Sequence, residues 1–231
     1  MDSNRRVRDR IYFVLLSLGN IATALSGQLL ECTNDYTTGF LCHFEAQNCT
    51  EYSLTLRAND FNENGSSTFT QCDNGRCCCS IEMSLISGET HTATVRKGDK
   101  IIKSQIISVT DTIKPNTPTI RSVEISGGNF QVTWDTHMAP YIRTELKHYL
   151  TYYKEGDTKT EPMMVTPTTT NEWNSYEILG RHLDPSTTYV VSVKTYIDIS
   201  GKFSDSSEEV EFTTGKCHLL SFLFTTIGEH V

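Results

Sequence analysis

Cysteine is the residue type in this chain whose number and spacing could do chemistry, because thiols form disulfides, bind zinc and act as nucleophiles. Eight cysteines are present, and seven of them precede residue 80. Cys77, Cys78 and Cys79 are consecutive, and three consecutive side chains cannot converge on one tetrahedral zinc ion as two separated C-x-x-C pairs do. The spacing therefore predicts disulfides and no metal site.

Histidine offers no second route to catalysis or metal binding. The histidines lack the H-x-x-x-H spacing of zinc enzymes, and the sequence has neither a G-x-S-x-G motif nor a phosphate-binding glycine loop. We expect no catalytic residue, no cofactor and no enzymatic activity. The histidines are His43, His91, His137, His148, His182, His218 and His230.

Residues 1–26 have the layout of a secretory signal peptide. Arginines cluster in the first ten residues, an apolar run follows, and Ala24 and Ser26 are small residues suited to a cleavage site. Secretion exposes a chain to an oxidising compartment that favours disulfides, so we expect an extracellular protein. In that context the sequons at Asn48 and Asn64 predict N-glycosylation, with Asn64 in the more open polar stretch.

The acidic balance of the chain excludes some partners. The 231 residues carry a formal net charge of −8, and loss of the leader with four arginines and two aspartates leaves 205 residues at −10. Such a chain repels phosphate backbones and anionic lipid headgroups, so we expect no nucleic-acid partner. The apolar run at 219–227 is nine residues long, whereas a membrane span needs about 20, so no span is predicted.

The elements that must position the cysteines and the other side chains are strands. Short runs of alternating apolar and polar residues recur between turns rich in Gly, Asn, Asp and Pro, which is typical of β-sandwiches. At roughly 100 residues per sandwich, the mature chain has room for two. The predicted strands lie within 51–57, 92–95, 101–109, 119–125, 130–134, 148–153, 175–178, 188–197 and 210–213.

Two prolines mark the boundary between the predicted sandwiches. Pro115 and Pro118 stiffen the chain and cannot donate to a strand ladder, so they indicate a short connector. We predict the following organisation: signal peptide 1–26, disulfide-stapled N-terminal sandwich 27–113, linker 114–118, second sandwich 119–214 and a short tail 215–231 without a span.

The second sandwich has the sequence signature of a fibronectin type III domain. Leu183, Pro185, Thr187 and Tyr189 fit L-x-P-x-T-x-Y, in which the tyrosine hydroxyl bonds back to the backbone of the preceding corner. Trp134 ends an alternating strand and is the expected core tryptophan. Most of these residues serve to build a core.

A cysteine-rich sandwich, a proline connector and a fibronectin-like sandwich together resemble the ligand-binding region of class I cytokine receptors. The first half is most similar to the interleukin-4 receptor alpha group in the order of its motifs. The resemblance extends over nearly all of 30–214, and the fold it implies is two tandem fibronectin type III-like β-sandwiches joined by a proline-containing elbow. The motifs are C-T-N-D-Y from Cys32, C-H-F from Cys42, N-C-T from Asn48, Cys72 and the run 77–79.

This resemblance implies the disulfides Cys32–Cys42, Cys49–Cys77 and Cys72–Cys79, since spacing alone leaves many pairings open. Cys78 stands where the family has an apolar residue, and on a strand it would face away from its two neighbours. We therefore expect Cys78 to be unpaired. Cys217 lies outside this framework and is predicted to be available for an intermolecular bridge.

A second family motif is degenerate in this chain. Class I receptors carry W-S-x-W-S, whose tryptophans stack with arginines in a cation–π ladder. The matching residues are Phe203, Ser204, Asp205, Ser206 and Ser207. With Lys194 as the cation left on the neighbouring strand, we expect a partial ladder at best.

The resemblance also implies the ligand and its contacts. Receptors of this family bind a helical cytokine at the elbow through loop tips, and a second subunit, such as a common gamma-like chain, joins them. Residues 27–115 and the remainder of the mature chain carry −4 and −6, which favours a basic cytokine. The predicted contacts are Tyr36, Phe61, Ile86, Glu89, Tyr141 and Ile199, with Glu89 placed to pair with a ligand arginine.

Two other interpretations stay open, namely another short-chain receptor subunit and a fibronectin type III adhesion protein. Full-length relatives in the family are single-pass type I membrane proteins that signal through JAK–STAT. Because the apolar run after Cys217 is short, we expect a secreted, non-signalling or decoy form.

Overall fold

The computed structural model describes residues 29–72, 75–170 and 173–215. Nearly all of the regular secondary structure in this part of the chain belongs to four antiparallel sheets, which confirms the predicted all-β class. The chain divides into two units, Met1–Thr112 and Ile113–Val231. The predicted signal peptide, Cys217 and the predicted tail beyond Gly215 lie outside the described residues. No helix among the described residues is long and apolar enough to cross a membrane.

The first unit consists of two four-stranded sheets, in the orders β1-β2-β6-β5 and β4-β3-β7-β8. Alternating burial along β7 and β6 shows why these sequences form strands with one face inward. The strands are β1 (Leu30–Asn34), β2 (Gly39–Phe44), β3 (Tyr52–Ala58), β4 (Asn64–Thr68), β5 (Thr70–Gln71), β6 (Cys77–Glu82), β7 (Thr90–Lys97) and β8 (Lys100–Ser108).

The core of the first unit contains aromatic rings and two disulfides. Phe40, Phe44 and Phe69 are among its largest buried side chains. The Cys32–Cys42 disulfide joins β1 to β2 at directly paired positions, and Cys49–Cys77 joins the turn before β3 to β6. Both predicted pairings are confirmed.

The third predicted pairing is wrong, because Cys72 is bonded to Cys78 and, among the described cysteines, Cys79 is the free thiol. The prediction that Cys78 is unpaired is wrong for the same reason. As predicted, Cys78 faces away from Cys77 and Cys79, which are both buried on the inner face of β6. However, Cys72 is only half-buried and lies on the outer side with Cys78. Strand alternation therefore puts Cys78 within reach of Cys72 and turns Cys79 into the core.

The second unit also consists of two sheets. Their orders are β13-β14-β10-β9 and β12-β11-β15-β16, with β17 pairing with β15. A four-residue helix, α1 (Pro140–Arg143), precedes β11. The strands are β9 (Thr119–Ser126), β10 (Asn129–Asp135), β11 (Leu146–Lys154), β12 (Met163–Val165), β13 (Thr168–Thr170), β14 (Trp173–Ile178), β15 (Thr188–Ile197), β16 (Lys202–Phe203) and β17 (Val210–Thr213).

The predicted core features of the second unit are present. Trp134 is fully buried, and its Nε1–H donates to His148 Nδ1 at 3.2 Å. The Tyr189 hydroxyl accepts a hydrogen bond from the Asp184 backbone N–H at 3.0 Å, so the tyrosine corner is confirmed. Tyr189 also stacks on Phe212, with ring centroids 5.7 Å apart.

Candidate functional site

Tyr36 occupies the β1–β2 loop of the first unit in an unusual backbone conformation. Its φ is +63°, in the left-handed region that side-chain-bearing residues rarely adopt. Its backbone N–H donates to Asn34 Oδ1 at 3.0 Å, and Asp35 Oδ1 accepts from the backbone N–H groups of Thr37 and Thr38. The ring is half-buried against the core. These hydrogen bonds hold the loop in one turn conformation, which gives the Tyr36 side chain a defined direction.

Glu89 lies in a different environment from the one predicted. Its side chain is 4% exposed, and its Oε2 is 3.9 Å from Nε2 of the fully buried His91. Glu89 Oε1 and both ring nitrogens of His91 have no hydrogen-bond partner among the described residues. Burial lowers the pKa of His91, with carboxylates including Glu89 acting in the opposite direction, so the imidazole is neutral at pH 7.

Phe61 and Ile86 lie in two loops, at 59–63 and 83–89. Hydrogen bonds attach these loops to each other and to the start of β7. Both side chains are exposed. The loop at 59–63 is joined to Thr90 by the Asn59 N–H and to the 83–89 loop by Glu63 Oε1, which accepts from the Ser84 N–H. Phe61, Ile86 and Glu89 are thus carried by neighbouring segments of one unit.

Tyr141 and Ile199 are exposed side chains of the second unit. Tyr141 belongs to α1, which leads into β11, and Ile199 belongs to the turn that follows β15. Leu146 at the start of β11 pairs with Ile197 at the end of β15, so the two candidate residues lie at the same end of this unit.

The degenerate motif forms a cation–π stack in which Phe203 is the central ring. Lys194 Nζ lies 4.4 Å from the Phe203 centroid, and the Tyr196 and Tyr149 centroids lie 4.6 Å and 5.2 Å from it. Lys147 Nζ lies over Tyr196 at 5.9 Å. Phe203 meets Tyr196 at a tilt of 48° and Tyr149 edge-on at 69°. Two cations and three rings therefore form one cluster across β11, β15 and β16.

The serines of the motif attach this segment to β15. Ser204 N–H donates to Thr195 O, and Ser204 Oγ accepts from Thr195 N–H. Ser207 makes the same two bonds with Val193. Both serines are buried, whereas Ser206 at the second tryptophan position is exposed. Asp205 forms an ion pair with Lys114 at 2.7 Å.

Comparison with known proteins reveals a likeness in structure. No family model matches the sequence, and no curated protein sequence matches it. A solved structure titled "Cytokine receptor complex - Crystal form 1A" matches with a TM-score of 0.55 and 12% sequence identity, over 81% of this chain and 96% of that chain. The chain shares that protein's fold. The likeness adds no residue-level role.

Sequence reasoning missed part of the stack and the support of the Tyr36 turn. Lys147 and Tyr149 alternate along β11 in the sequence, and this was the signal available for the second cation and the extra ring. Asn34 gave no such signal, because its partners Val109 and Thr112 are more than 70 residues away.

The two predicted glycosylation asparagines are both exposed. Asn48 directly precedes the short 3-10 helix Cys49–Glu51, and its Nδ2 donates to Glu51 Oε1 at 2.9 Å. Asn64 begins β4 and pairs with Arg57 of β3. Modification at either residue stays a prediction.

Proposed function

We propose that this protein is an extracellular receptor-type module that binds a short-chain four-helix cytokine of the interleukin-4 or interleukin-13 kind. The stack around Phe203 is the observation that carries the proposal. The segment keeps both serines of W-S-x-W-S, and a lysine ammonium lies over each of the rings Phe203 and Tyr196. These features favour a receptor over a fibronectin type III adhesion domain.

The loops that carry the candidate contacts support this proposal. A rigid sandwich allows loops to present varied side chains without disturbing the core. Tyr36 is held in a defined turn. Phe61 and Ile86 are exposed in loops of the first unit, and Tyr141 and Ile199 are exposed in the second unit. We propose these five as the apolar contacts. Glu89 is not proposed as a contact, because its side chain is 4% exposed and lies beside the buried His91.

The net charge supports electrostatic attraction of a basic partner. Both halves of the mature chain are acidic, at −4 and −6, so a basic cytokine would be steered toward either unit during encounter. A common gamma-like second subunit, and JAK–STAT signalling by membrane-bound relatives, rest on the sequence resemblance and belong to the same proposal. The three disulfides support placement outside the cell.

Surface plasmon resonance with the secreted chain tests the proposal. Recombinant interleukin-4 and interleukin-13 are the probes, and lysozyme is a basic protein that is not a cytokine. We expect saturable binding of at least one cytokine, an association rate that falls as ionic strength rises, and no comparable lysozyme binding.

A variant pair locates the contact. Tyr36→Ala removes a candidate contact, whereas Ile106→Ala removes a side chain that is 72% exposed on β8, outside the candidate loops. We expect Tyr36→Ala to weaken binding about tenfold or more, as truncation of an aromatic hot spot does, and Ile106→Ala to have no effect. Equal binding of lysozyme, or binding only to matrix proteins such as fibronectin, would contradict the proposal.

A further inference from the structure

Asn34 is a buried amide at the end of β1, with 4% of the residue exposed. Its Nδ2 donates to Val109 O at 2.8 Å and to Thr112 Oγ1 at 2.8 Å, while its Oδ1 accepts from Tyr36 N–H at 3.0 Å. A backbone N–H only donates and a carbonyl only accepts, so these partners fix the orientation of the amide. No hydrophobic or carboxylate side chain could satisfy the three groups together.

The segment that receives Asn34 also supports the loop that carries Glu89. Val109 N–H donates to Glu89 O at 3.0 Å, and Thr110 Oγ1 accepts from Gly88 N–H at 3.1 Å. Val109 therefore accepts a bond from Asn34 Nδ2 at its carbonyl oxygen and donates a bond to Glu89 O from its backbone N–H. Residues 109–112 form one support for the two loops.

We propose that Asn34 is a positioning residue that holds Tyr36 in its left-handed conformation and, through Val109, fixes Tyr36 and the 83–89 loop that carries the exposed Ile86 relative to each other before a partner binds. A non-glycine residue persists in that conformation only when its surroundings over-determine it, and the Asn34–Tyr36 bond supplies that constraint. Pre-organised contacts lose less conformational freedom on association. The ligand-related half of this inference rests on the proposed cytokine-binding function.

Removal of the amide has local consequences that differ from general destabilisation. In Asn34→Ala, Tyr36 N–H loses its Asn34 acceptor, and Val109 O keeps the bond from Thr112 Oγ1 at 3.2 Å but loses its link to β1. The β1–β2 turn is therefore free to relax, and the 109–112 segment loses its attachment to that turn. Asn129→Ala is the matched control, because Asn129 Oδ1 accepts a similar bond from Gly180 N–H at 3.0 Å in the second unit.

Hydrogen exchange of the unliganded secreted chain, followed by NMR at single amides, tests the positioning role without any cytokine. We expect Asn34→Ala to speed exchange about tenfold or more at Tyr36 and Val109, with β3 and β6 amides unchanged. Asn129→Ala should affect Gly180 and leave Tyr36 unchanged. Wild-type exchange at Tyr36 in Asn34→Ala, or equal acceleration throughout the first unit, overturns the inference.

A double-mutant cycle tests the consequence for binding, measured with whichever of interleukin-4 or interleukin-13 binds the wild-type chain. If Asn34 acts through Tyr36, then Asn34→Ala weakens binding about fivefold to tenfold, and adding it to Tyr36→Ala has little further effect. Multiplicative losses would show that Asn34 does not act through Tyr36. If neither cytokine binds, the proposed function fails, while the exchange result still decides whether Asn34 positions the two loops.

Discussion

Protonation of His148 should destabilise the second unit at mildly acidic pH. Trp134 Nε1–H donates to His148 Nδ1 at 3.2 Å, and both residues are buried. Nδ1 is therefore an acceptor, and the imidazole is neutral in the folded protein. Burial lowers the pKa of His148 from 6.5 to about 4. A charged ring at this position would lose its hydration, and its protonated Nδ1 would face the Trp134 donor.

The size of the effect follows from proton linkage. Because the folded pKa lies below the unfolded value of 6.5, the unfolded chain binds the proton first, and stability falls as pH drops below 6.5 until about 4. The expected loss in the free energy of unfolding is about 1 kcal/mol at pH 5.5 and about 2 to 3 kcal/mol at pH 4.5. Above pH 7.5 the contribution is constant.

Tryptophan fluorescence provides an assay that reports on the second unit. The chain has two tryptophans, Trp134 and Trp173, and both lie in this unit. Urea unfolding followed by emission after excitation at 295 nm therefore avoids signal from the first unit. His148→Gln is the control, since its side-chain oxygen accepts from Trp134 Nε1–H and does not titrate.

The comparison of the two pH profiles decides the outcome. Wild-type stability should fall relative to His148→Gln between pH 7.5 and 4.5, and the difference should approach the linkage value above. Parallel profiles over this range would refute the reasoning, because they would mean that the buried imidazole has the same proton affinity in the folded and unfolded states.

Four further outcomes follow from the described contacts. Cys79, whose pKa burial raises to about 12, should resist iodoacetamide in the native protein and react after unfolding, as peptide mass mapping would show. Phe203→Ala should reduce the free energy of unfolding by about 1 to 2 kcal/mol through loss of its ring and cation contacts. Ser206→Ala, at an exposed motif position, should leave stability unchanged in the same urea titration. Tyr189→Phe should cost about 1 kcal/mol, because the Asp184 N–H loses its acceptor, and an unchanged urea midpoint would contradict that role.

Local sequence predicted nine of the described strands, whereas β1, β2, β4, β5, β6, β12, β13 and β16 were not predicted. Alternation over 130–134 and 188–197 matches the observed β10 and β15, and the L-x-P-x-T-x-Y pattern identified the Tyr189 corner. These signals are local because the pleat places every second side chain on the same face. The core role of Trp134 follows from the same rule.

The details that depend on distant partners could not be predicted. Resemblance assigned Cys79 to Cys72, although strand alternation alone pointed Cys78 toward the outer face. Burial of Glu89 beside His91 and the bonds of Asn34 to residues more than 70 positions away arise only after the sheets assemble. Lys147 differs from these, because its alternation with Tyr149 along β11 was a local signal for its position over Tyr196.

The three consecutive cysteines also bear on how the first unit reaches a unique fold. Cys77 is bonded toward the core, to Cys49, and Cys78 toward the outer side, to Cys72. A slip of β6 by one residue would exchange the two faces of the strand and present the wrong sulfur to each partner. The two disulfides therefore fix β6 in its native register. A chain in which β6 had slipped would carry a different set of disulfides, which a disulfide map would detect.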